Sequence, residues 1–128
     1  MDSWGDGIFA VFEDVASAAK VALALQDKMQ KIDATDSNLP ETLSLRIGCH
    51  YGPVTYADDP ITGRPGVFGS QVSYAAKIEP VAVPGAILAS EAFASALALS
   101  PYNKASSHYI GRKSLKGIAQ PVRLFSIN

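Results

Sequence analysis

The sequence predicts an α+β domain in which helices pack on a mixed, mostly antiparallel sheet. Two observations predict it. Short apolar runs typical of strands alternate along the chain with longer segments whose apolar residues recur every three or four positions. Several strands also follow one another closely, separated by Gly or Pro turns, which favours antiparallel pairing. At 128 residues and 48% hydrophobic content, the chain can build the core of one domain.

The first element is a pair of strands around the turn Trp4-Gly5-Asp6-Gly7. Residues 8–12 form a continuous apolar run with β-branched and aromatic side chains, which predicts a buried strand leaving this turn. Asp-Gly favours the positive φ angles of tight hairpins. A glycine-flanked turn also brings backbone close to a phosphate and leaves the Asp6 carboxylate free for a hard cation such as Mg²⁺. A plain hairpin turn is the simpler interpretation of the same residues.

A long amphipathic helix follows. Asp14 is the predicted N-cap. One apolar stripe then runs at alternating spacings of three and four to a helix end near Asp33, through Val15, Ala18, Ala22, Leu25, Met29 and Ile32.

The middle of the chain contains a half-buried strand and a second helix. Leu45 and its alternating neighbours predict the strand over residues 43–47. Residues 58–66 read as a loop or the tip of a long hairpin. The second helix is predicted over residues 67–79 and ends at Pro80.

The carboxyl part alternates strand and helix once more. A short strand over 86–89 follows the Pro84-Gly85 turn, and Ser90 is the predicted cap of a helix over 91–99. The last two strands are predicted at 109–111 and 122–127, with Leu-Lys-Gly at 115–117 between them.

Bulk properties exclude several classes of protein. The net charge is −1 with no long run of either sign, so a basic surface for nonspecific nucleic-acid binding has little support. The one cysteine cannot form an intrachain disulfide, which fits a reducing, cytoplasmic location. No apolar stretch approaches the roughly 20 residues that span a bilayer. Asp2 and Asp6 interrupt the amino end, so no signal peptide is visible.

The second helix carries a polar face that suits a nucleotide. Ser70, Ser73 and Lys77 are spaced three and four apart and share one side, with Val72, Ala75 and Ala76 expected on the opposite, buried side. Lys77 could hold a phosphate, and Ser73 could donate to a ribose or phosphate oxygen. An ordinary solvated face would have the same pattern.

Three further residues are candidates for a functional role, and each also has a simpler interpretation. Lys116 stands before a glycine that permits close approach of a ligand, but alone it indicates nothing. His50 has no visible carboxylate and nucleophile to complete a catalytic set. Cys49 has no metal ligands at zinc spacing. We therefore predict structural roles for His50 and Cys49.

The chain resembles the catalytic domain of class III nucleotidyl cyclases, the adenylate and guanylate cyclase family, in a divergent bacterial form. The resemblance runs in order over nearly the whole chain. The matching segments are GDGIFAVF at 5–12, LRIGCHYGPV at 45–54, VFGSQVSYAAKIE at 67–79, GAILASEA at 85–92 and SLKGIAQPVRLFSI at 114–127.

The resemblance implies a ferredoxin-like βαββαβ core and a head-to-tail homodimer with active sites at the interface. It implies conversion of a nucleoside triphosphate to a 3′,5′-cyclic nucleotide and pyrophosphate, with two ions of Mg²⁺ or Mn²⁺. Residues 1–128 would form a single cyclase-type domain that is incomplete at its amino end and belongs to a longer protein with further domains. This chain alone is then expected to be inactive.

The resemblance assigns roles to individual residues. Asp6 matches the second of the family's two metal-binding aspartates, and the first lies on an earlier strand that this chain does not contain. Gly5 and Gly7 flank it in the turn. Lys116 matches the lysine that holds the triphosphate.

Other matches depart from the family pattern. Ser73 stands where the family usually has an asparagine that orients the ribose. Lys77 stands where it has an arginine, and lysine keeps the charge but loses the bidentate fork. Ser70 occupies a base-reading position that is commonly aspartate, and Asp2 lies near the position where adenylate cyclases carry a base-reading lysine. The base is therefore not defined, and a pyrimidine cyclase remains open.

Three functional hypotheses remain open at this point. The first is an active nucleotidyl cyclase. The second is a catalytically silent cyclase-homology module that dimerises and regulates, motivated by the departures at residues 70, 73 and 77. The third is a ferredoxin-like interaction domain whose likeness to the family is accidental.

Overall fold

The computed structural model describes residues 2–4, 7–35, 45–53, 55–58, 65–68 and 70–128, with side chains described for 10–31, 45–53 and 74–128. The strands are β1 (Asp2–Trp4), β2 (Gly7–Phe9), β3 (Ile47–Cys49), β4 (Thr55–Asp58), β5 (Pro65–Phe68), β6 (Ile87–Ser90), β7 (Ser107–Lys113) and β8 (Val122–Ile127). The helices are α1 (Val15–Thr35), α2 (Ser70–Ile78) and α3 (Glu91–Leu99), and a 3₁₀ turn over Glu79–Val81 follows α2.

A four-stranded mixed sheet organises the fold. Its strand order is β3-β6-β8-β7, with β3 parallel to β6 and the other two pairs antiparallel. Two hairpins, β1–β2 and β4–β5, form separate antiparallel pairs. The prediction of an α+β fold with a mixed, mostly antiparallel sheet is thus confirmed.

The two faces of the sheet carry separate cores because successive side chains of a strand point to opposite faces. On β6, Ile87 and Ala89 face the cluster formed with α1 and α3, whereas Leu88 faces the cluster formed with α2. The first cluster contains Phe93 and Ile127, and the second contains Ile78 and Leu124; all four are almost fully buried. The sheet therefore holds α2 on one side and the other two helices on the opposite side.

Helix α1 begins as predicted, and the first part of its predicted apolar stripe meets the core. The Asp14 carboxylate accepts hydrogen bonds from the Ser17 N–H at 2.7 Å and from the Ser17 hydroxyl at 3.0 Å. Val15, Ala19 and Ala22 are buried, whereas Leu25, predicted on the buried stripe, is 44% exposed. The buried stripe therefore follows the predicted one through residues 15, 18 and 22 and departs from it at residue 25.

Three predicted segments differ from the structure. The strand predicted over 8–12 ends at Phe9, and Phe12 is exposed. The strand predicted from residue 43 is regular only from Ile47, and residues 43 and 44 lie outside the described ranges. Val67 and Phe68, predicted as helix, belong to β5 because they pair with Tyr56 and Thr55. This pairing favours the hairpin interpretation of residues 58–66.

The carboxyl elements agree closely with prediction. Ser90 caps α3, its hydroxyl oxygen accepting from the Phe93 N–H at 3.2 Å, and α3 ends at Leu99. Gly85 has a φ of +85° in the turn before β6, and the Ala86 N–H donates to the Val83 carbonyl. Within the described residues, no helix combines the length and the apolar content that membrane crossing requires.

Candidate functional site

Helix α2 carries three of the residues predicted for the site. Ser70 is its first residue, Ser73 lies one turn later, and Lys77 is in the last turn. The helical backbone thus places all three positions on one side, as predicted, although only the backbone of Ser70 and Ser73 is described. Lys77 is partly buried and stands at the helix end where a positive charge is favourable.

The buried side of α2 differs from prediction. Ala75 and Ala76 are only partly buried, whereas Ile78 is completely buried and Tyr74 packs against the same cluster. The stripe that meets the sheet therefore runs through residues 74 and 78, four apart. Val72, also predicted on this side, has a side chain outside the described set. Gly48 of β3 lies directly against the backbone of Ala75 and Glu79.

Lys116 occupies a tight turn between β7 and β8. The Ile118 N–H donates to the Leu115 carbonyl at 3.1 Å, and Gly117 has a φ of +80° while Lys116 does not have a positive φ. These features define a type II turn, which needs glycine at its third position. Leu115 is buried and Ile118 packs against the same core cluster, so both ends of the turn are anchored and Lys116 is exposed.

The side chain of Lys77 reaches this turn. A Cβ added at Gly117 would lie 3.5 Å from the Lys77 Nζ and 3.9 Å from its Cε. The structure thus brings Lys77 next to the Lys116-Gly117 turn, although Lys77 and Lys116 are 39 positions apart in the sequence. At these distances a Cβ at residue 117 would be in ordinary van der Waals contact with the end of the Lys77 side chain.

Neither lysine is neutralised by the described part of the chain. The ion pairs found there join Lys31 to Asp27 and Arg123 to Glu91. The Lys77 ammonium group lies at the turn that carries Lys116, and no carboxylate of the described residues pairs with either side chain. An anionic ligand at this turn would have at least the Lys77 charge to bind.

The predicted metal site lies largely outside the described residues. Trp4 of β1 pairs with Gly7 of β2, which confirms the predicted hairpin, but Gly5 and Asp6 between them are not described. Elsewhere in the described ranges, no three His, Cys, Asp or Glu side chains come together as a metal site would require. Asp6 is thus the one carboxylate that the sequence offers at this turn, and the described residues add no ligand set to it.

Cys49 and His50 have clear structural surroundings. Burial raises the pKa of the Cys49 thiol to about 12, so the thiolate that nucleophilic or metal chemistry needs is disfavoured. The His50 ring stacks on Tyr74, and its Nδ1 lies 2.7 Å from the Ser90 hydroxyl oxygen. Desolvation raises the pKa of the Tyr74 hydroxyl. The predicted structural roles fit these contacts.

An open cavity of about 350 Å³ lies elsewhere, between the start of α1 and the end of α3. It is lined by Glu13, Asp14, Val15, Tyr51, Ala96, Leu99 and Ser100. None of these residues belongs to α2 or to the Lys116 turn, so this cavity is separate from the lysine pair.

Two glycines that position the lysines were not singled out for that role from the sequence. Gly48 permits close packing of α2 on β3, and Gly117, through its positive φ, forms the turn that Lys77 reaches. The sequence signal for Gly117 was its place directly after Lys116. No local signal marks Gly48, because its importance comes from a helix that follows much later in the chain.

Comparisons with known proteins agree with the fold and with the motif order. The sequence model of the family described as "Adenylate and Guanylate cyclase catalytic domain" matches residues 7–128. The chain is 34% identical over 89 residues to "Putative adenylate cyclase 3" from Rhizobium meliloti (strain 1021), covering 68% of this chain and 14% of the relative. It is 32% identical over 125 residues to "pH-sensitive adenylate cyclase MT1302" from Mycobacterium tuberculosis (strain CDC 1551 / Oshkosh), and the match covers 96% of this chain and 28% of the relative.

Solved structures share the architecture. The fold is similar to that of the adenylyl cyclase CyaB from P. aeruginosa, with a TM-score of 0.73 and 19% identity over 89% of this chain and 58% of that one. It is also similar to the guanylate cyclase domain of RhGC from Catenaria anguillulae in complex with GTP, with a TM-score of 0.71 and 18% identity. This match covers 93% of this chain and 62% of that one. These likenesses confirm the predicted cyclase-type fold. The chain spans less than a third of the two curated relatives' lengths.

Proposed function

Since this chain belongs to the family of adenylate and guanylate cyclase catalytic domains, we propose that, as part of the full-length protein, it serves to convert a nucleoside triphosphate to a 3′,5′-cyclic nucleotide in intracellular signalling. In this reaction the ribose 3′ oxygen loses its proton and forms a bond to the α-phosphorus. The bond from that phosphorus to the leaving pyrophosphate breaks. The observation that carries the proposal is the placement of Lys77 against the Lys116-Gly117 turn.

The two lysines would act on the phosphates. Lys116, exposed on an anchored turn, would bind the triphosphate as a mobile point charge. Lys77 is partly buried and fixed on α2, so it would hold a charge close to the transferring phosphate. A preorganised charge that stabilises the negative charge developing in the transition state typically raises kcat by roughly two to three orders of magnitude.

The serines of α2 would contact the nucleoside. Ser73 shares the helix side of Lys77 and would orient the ribose with its hydroxyl. Ser70, one turn earlier, would lie toward the base. A serine at each position reads a ligand by a single hydroxyl that both donates and accepts, which fits weak selection among bases.

The hairpin turn would supply the metal end of the site. Asp6 would be a ligand to Mg²⁺ or Mn²⁺, and Gly5 and Gly7 would let the backbone approach the triphosphate. A bound divalent ion would neutralise phosphate charge and favour the ionised 3′ oxygen. Because one carboxylate makes an incomplete site, Asp6 would need a second carboxylate ligand beside it to hold the ion.

The assembly proposed is a head-to-tail homodimer in the cytoplasm, with further domains of the protein supplying regulation. The cytoplasm is where nucleoside triphosphates are available, and the single buried cysteine suits its reducing conditions. GTP is the ligand of the RhGC guanylate cyclase domain, and this supports a triphosphate as the substrate class here. Nucleic acid and membrane have no part in the proposal for this segment.

The experiment is turnover by the full-length protein. ATP, GTP, CTP and UTP are each supplied with Mn²⁺ or Mg²⁺, and cyclic product is measured by mass spectrometry. We expect a 3′,5′-cyclic nucleotide from at least one triphosphate and its loss in Lys77→Met and Lys116→Met. Lys113→Met, an exposed lysine on β7, is the matched control. No product from any triphosphate, in a folded and dimeric sample, would reject catalysis.

A second candidate is a catalytically silent cyclase-homology module that dimerises and regulates. It is favoured by Ser73 and Lys77, which replace the asparagine and arginine of the family pattern. The double variant Ser73→Asn, Lys77→Arg separates the two candidates. A large rise in turnover would mean that only these positions limit an otherwise intact site. No rise in an inactive protein would favour the module.

A further inference from the structure

Gly48 of β3 and His50, the residue that follows this strand, both face α2. Gly48 and His50 are two positions apart and lie on the side of the sheet that carries α2, whereas Cys49 between them is buried in the opposite cluster. Gly48 contacts the backbone of α2 at its carboxyl end. His50 contacts Tyr74, one residue after Ser73 and three before Lys77. These two residues thus hold α2 at two separate points.

The register of the sheet brings His50 to a second element. β3 and β6 run parallel with Gly48 beside Leu88 and Cys49 beside Ala89, so the next step sets His50 beside Ser90. The His50 Nδ1 lies 2.7 Å from the Ser90 hydroxyl oxygen, a normal hydrogen-bond distance. His50 therefore joins α2 to the junction between β6 and α3.

Ser90 is a firm anchor for this contact. It is 4% exposed, and its hydroxyl oxygen already accepts the Phe93 N–H as the N-cap of α3. The hydroxyl hydrogen can then be donated to Nδ1 of a neutral imidazole that carries its proton on Nε2. One hydroxyl thus serves both the cap and the histidine, so the ring orientation is fixed from the sheet side.

The His50 ring also contacts Tyr74 and helps to hold it in place. The two ring centroids are 4.4 Å apart with an interplanar angle of 29°, which is a stacked arrangement. Helix α2 has nine residues, too short to be stable without tertiary contacts. Its position therefore depends on Ile78, Gly48 and the stack on Tyr74. A rotation of α2 about its axis would carry Lys77 away from Gly117.

We infer that His50 is a positioning residue, which fixes α2 between Ser90 and Tyr74 so that Lys77 stays against the Lys116-Gly117 turn. The inference rests on the proposed function for its catalytic meaning. Its structural content, that His50 sets the local stability and placement of α2, is independent of turnover. His50 does not itself touch the reacting phosphates in this assignment.

The test compares three substitutions in the full-length protein. His50→Leu removes the ring stack and the hydrogen bond, His50→Phe keeps the stack, and His50→Asn keeps a polar atom near the Nδ1 position. Backbone hydrogen exchange is measured by mass spectrometry for residues 70–78 and, as reference, for α1. If His50→Leu does not fold, the Phe and Asn variants carry the test.

We expect His50→Leu to raise exchange in α2 by about ten-fold relative to α1, with His50→Phe and His50→Asn in between. We expect kcat to fall by about 10- to 100-fold while KM changes less than about three-fold, because a small displacement of Lys77 weakens contacts that matter most in the transition state. Lys116, which would dominate triphosphate binding, stays in place.

Two controls separate positioning from general destabilisation. His108→Leu changes the other histidine of the chain, which is exposed on β7. Cys49→Ala changes the neighbouring residue, which is buried on the opposite side of the sheet. Equal rises of exchange in α2 and α1, or no rise in α2, would overturn the inference. A wild-type protein without turnover would defeat the proposed function, while hydrogen exchange would still decide the inference about His50.

Discussion

Gly48 lies so close to Ala75 that a Cβ at residue 48 would stand 2.7 Å from the Ala75 carbonyl oxygen, and also 2.7 Å from the Glu79 nitrogen. Both atoms are backbone, so neither can move without shifting α2. A close approach between the sheet and the helix that carries Lys77 is thus made at a residue without a side chain.

Gly48→Ala is expected to lower the free energy of unfolding by about 3 kcal/mol, because the methyl group overpacks against backbone. Urea unfolding measures the change. Gly85→Ala is the comparison: its Cβ would meet nothing within 4 Å, and its cost of about 1 kcal/mol comes from the positive φ alone. Equal losses in the two variants would mean that the close contact at residue 48 is unimportant.

Lys116→Met is expected to weaken triphosphate binding by about ten-fold or more, since a charge-assisted contact to a phosphate is lost. Isothermal titration at two salt concentrations measures the affinity and its salt dependence. Lys113→Met removes an exposed charge from neighbouring β7 and should change the affinity less than about two-fold. A similar loss in both variants would indicate a general charge effect in place of a specific site.

Mixing two inactive variants tests the proposed dimer. In a head-to-tail homodimer whose site takes Asp6 from one protomer and Lys116 from the other, Asp6→Ala and Lys116→Met restore one intact site per mixed dimer. Random exchange of subunits should then recover about a quarter of wild-type turnover. Each variant alone is the control. No recovery after verified subunit exchange would place both residues in the same protomer's site.

Asp14→Ala is expected to lower the melting temperature at neutral pH, because the Ser17 N–H loses its acceptor at the start of α1. The hydrogen bonds from Ser17 lower the pKa of the Asp14 carboxyl below 3.8. Its contribution is therefore present above the unfolded pKa and is lost as pH falls through the folded one. Thermal melts from pH 7 to pH 2 should show the wild type and Asp14→Ala converging. Asp14→Asn, a neutral cap, should change less with pH; parallel curves would contradict the assignment.

We expect the buried thiol of Cys49 to lower the free energy of unfolding at alkaline pH. Its folded pKa of about 12 exceeds the ordinary value of 9.0, so the folded state keeps a proton that the unfolded thiol releases. Stability is full below pH 9.0 and falls as pH rises toward about 12, by up to about 1.4 kcal/mol per pH unit. Chemical unfolding between pH 8 and pH 10.5 should give a shallower slope for Cys49→Ala. Identical slopes would mean that the thiol ionises equally in both states.

The elements that the sequence predicts well are those with local signals. Asp14 and Ser90 precede their helices at the N-cap, and a hydrogen bond within a few residues is enough to fix each start. The prediction of helix at Val67 and Phe68 was wrong because these residues pair as a strand with Tyr56 and Thr55, which lie earlier in the chain. The local conformational preference of a segment does not specify which other strand it pairs with.

In the candidate site, too, the features with local sequence signals were predicted and those that depend on distant segments were not. Periodicity predicts that residues 70, 73 and 77 share one side of a helix, and the backbone confirms it. The approach of Lys77 to Gly117 depends on how the sheet and the β7–β8 turn are assembled, and the family resemblance alone suggested that both lysines serve one ligand. The contact of His50 with Ser90 follows from strand register, which no local pattern specifies.

The parallel pairing of β3 with β6 also bears on the order of folding. The pair β7–β8 joins consecutive strands, and its outermost partners Ser107 and Ile127 are 20 positions apart. The two pairings of β6 close longer loops of similar length, 40 positions from Ile47 to Ile87 and 38 positions from Leu88 to Ser126. We expect the β7–β8 pair to form first and β6 to join its two neighbours later. The turn that carries Lys116 would then be in place before α2 brings Lys77 to it.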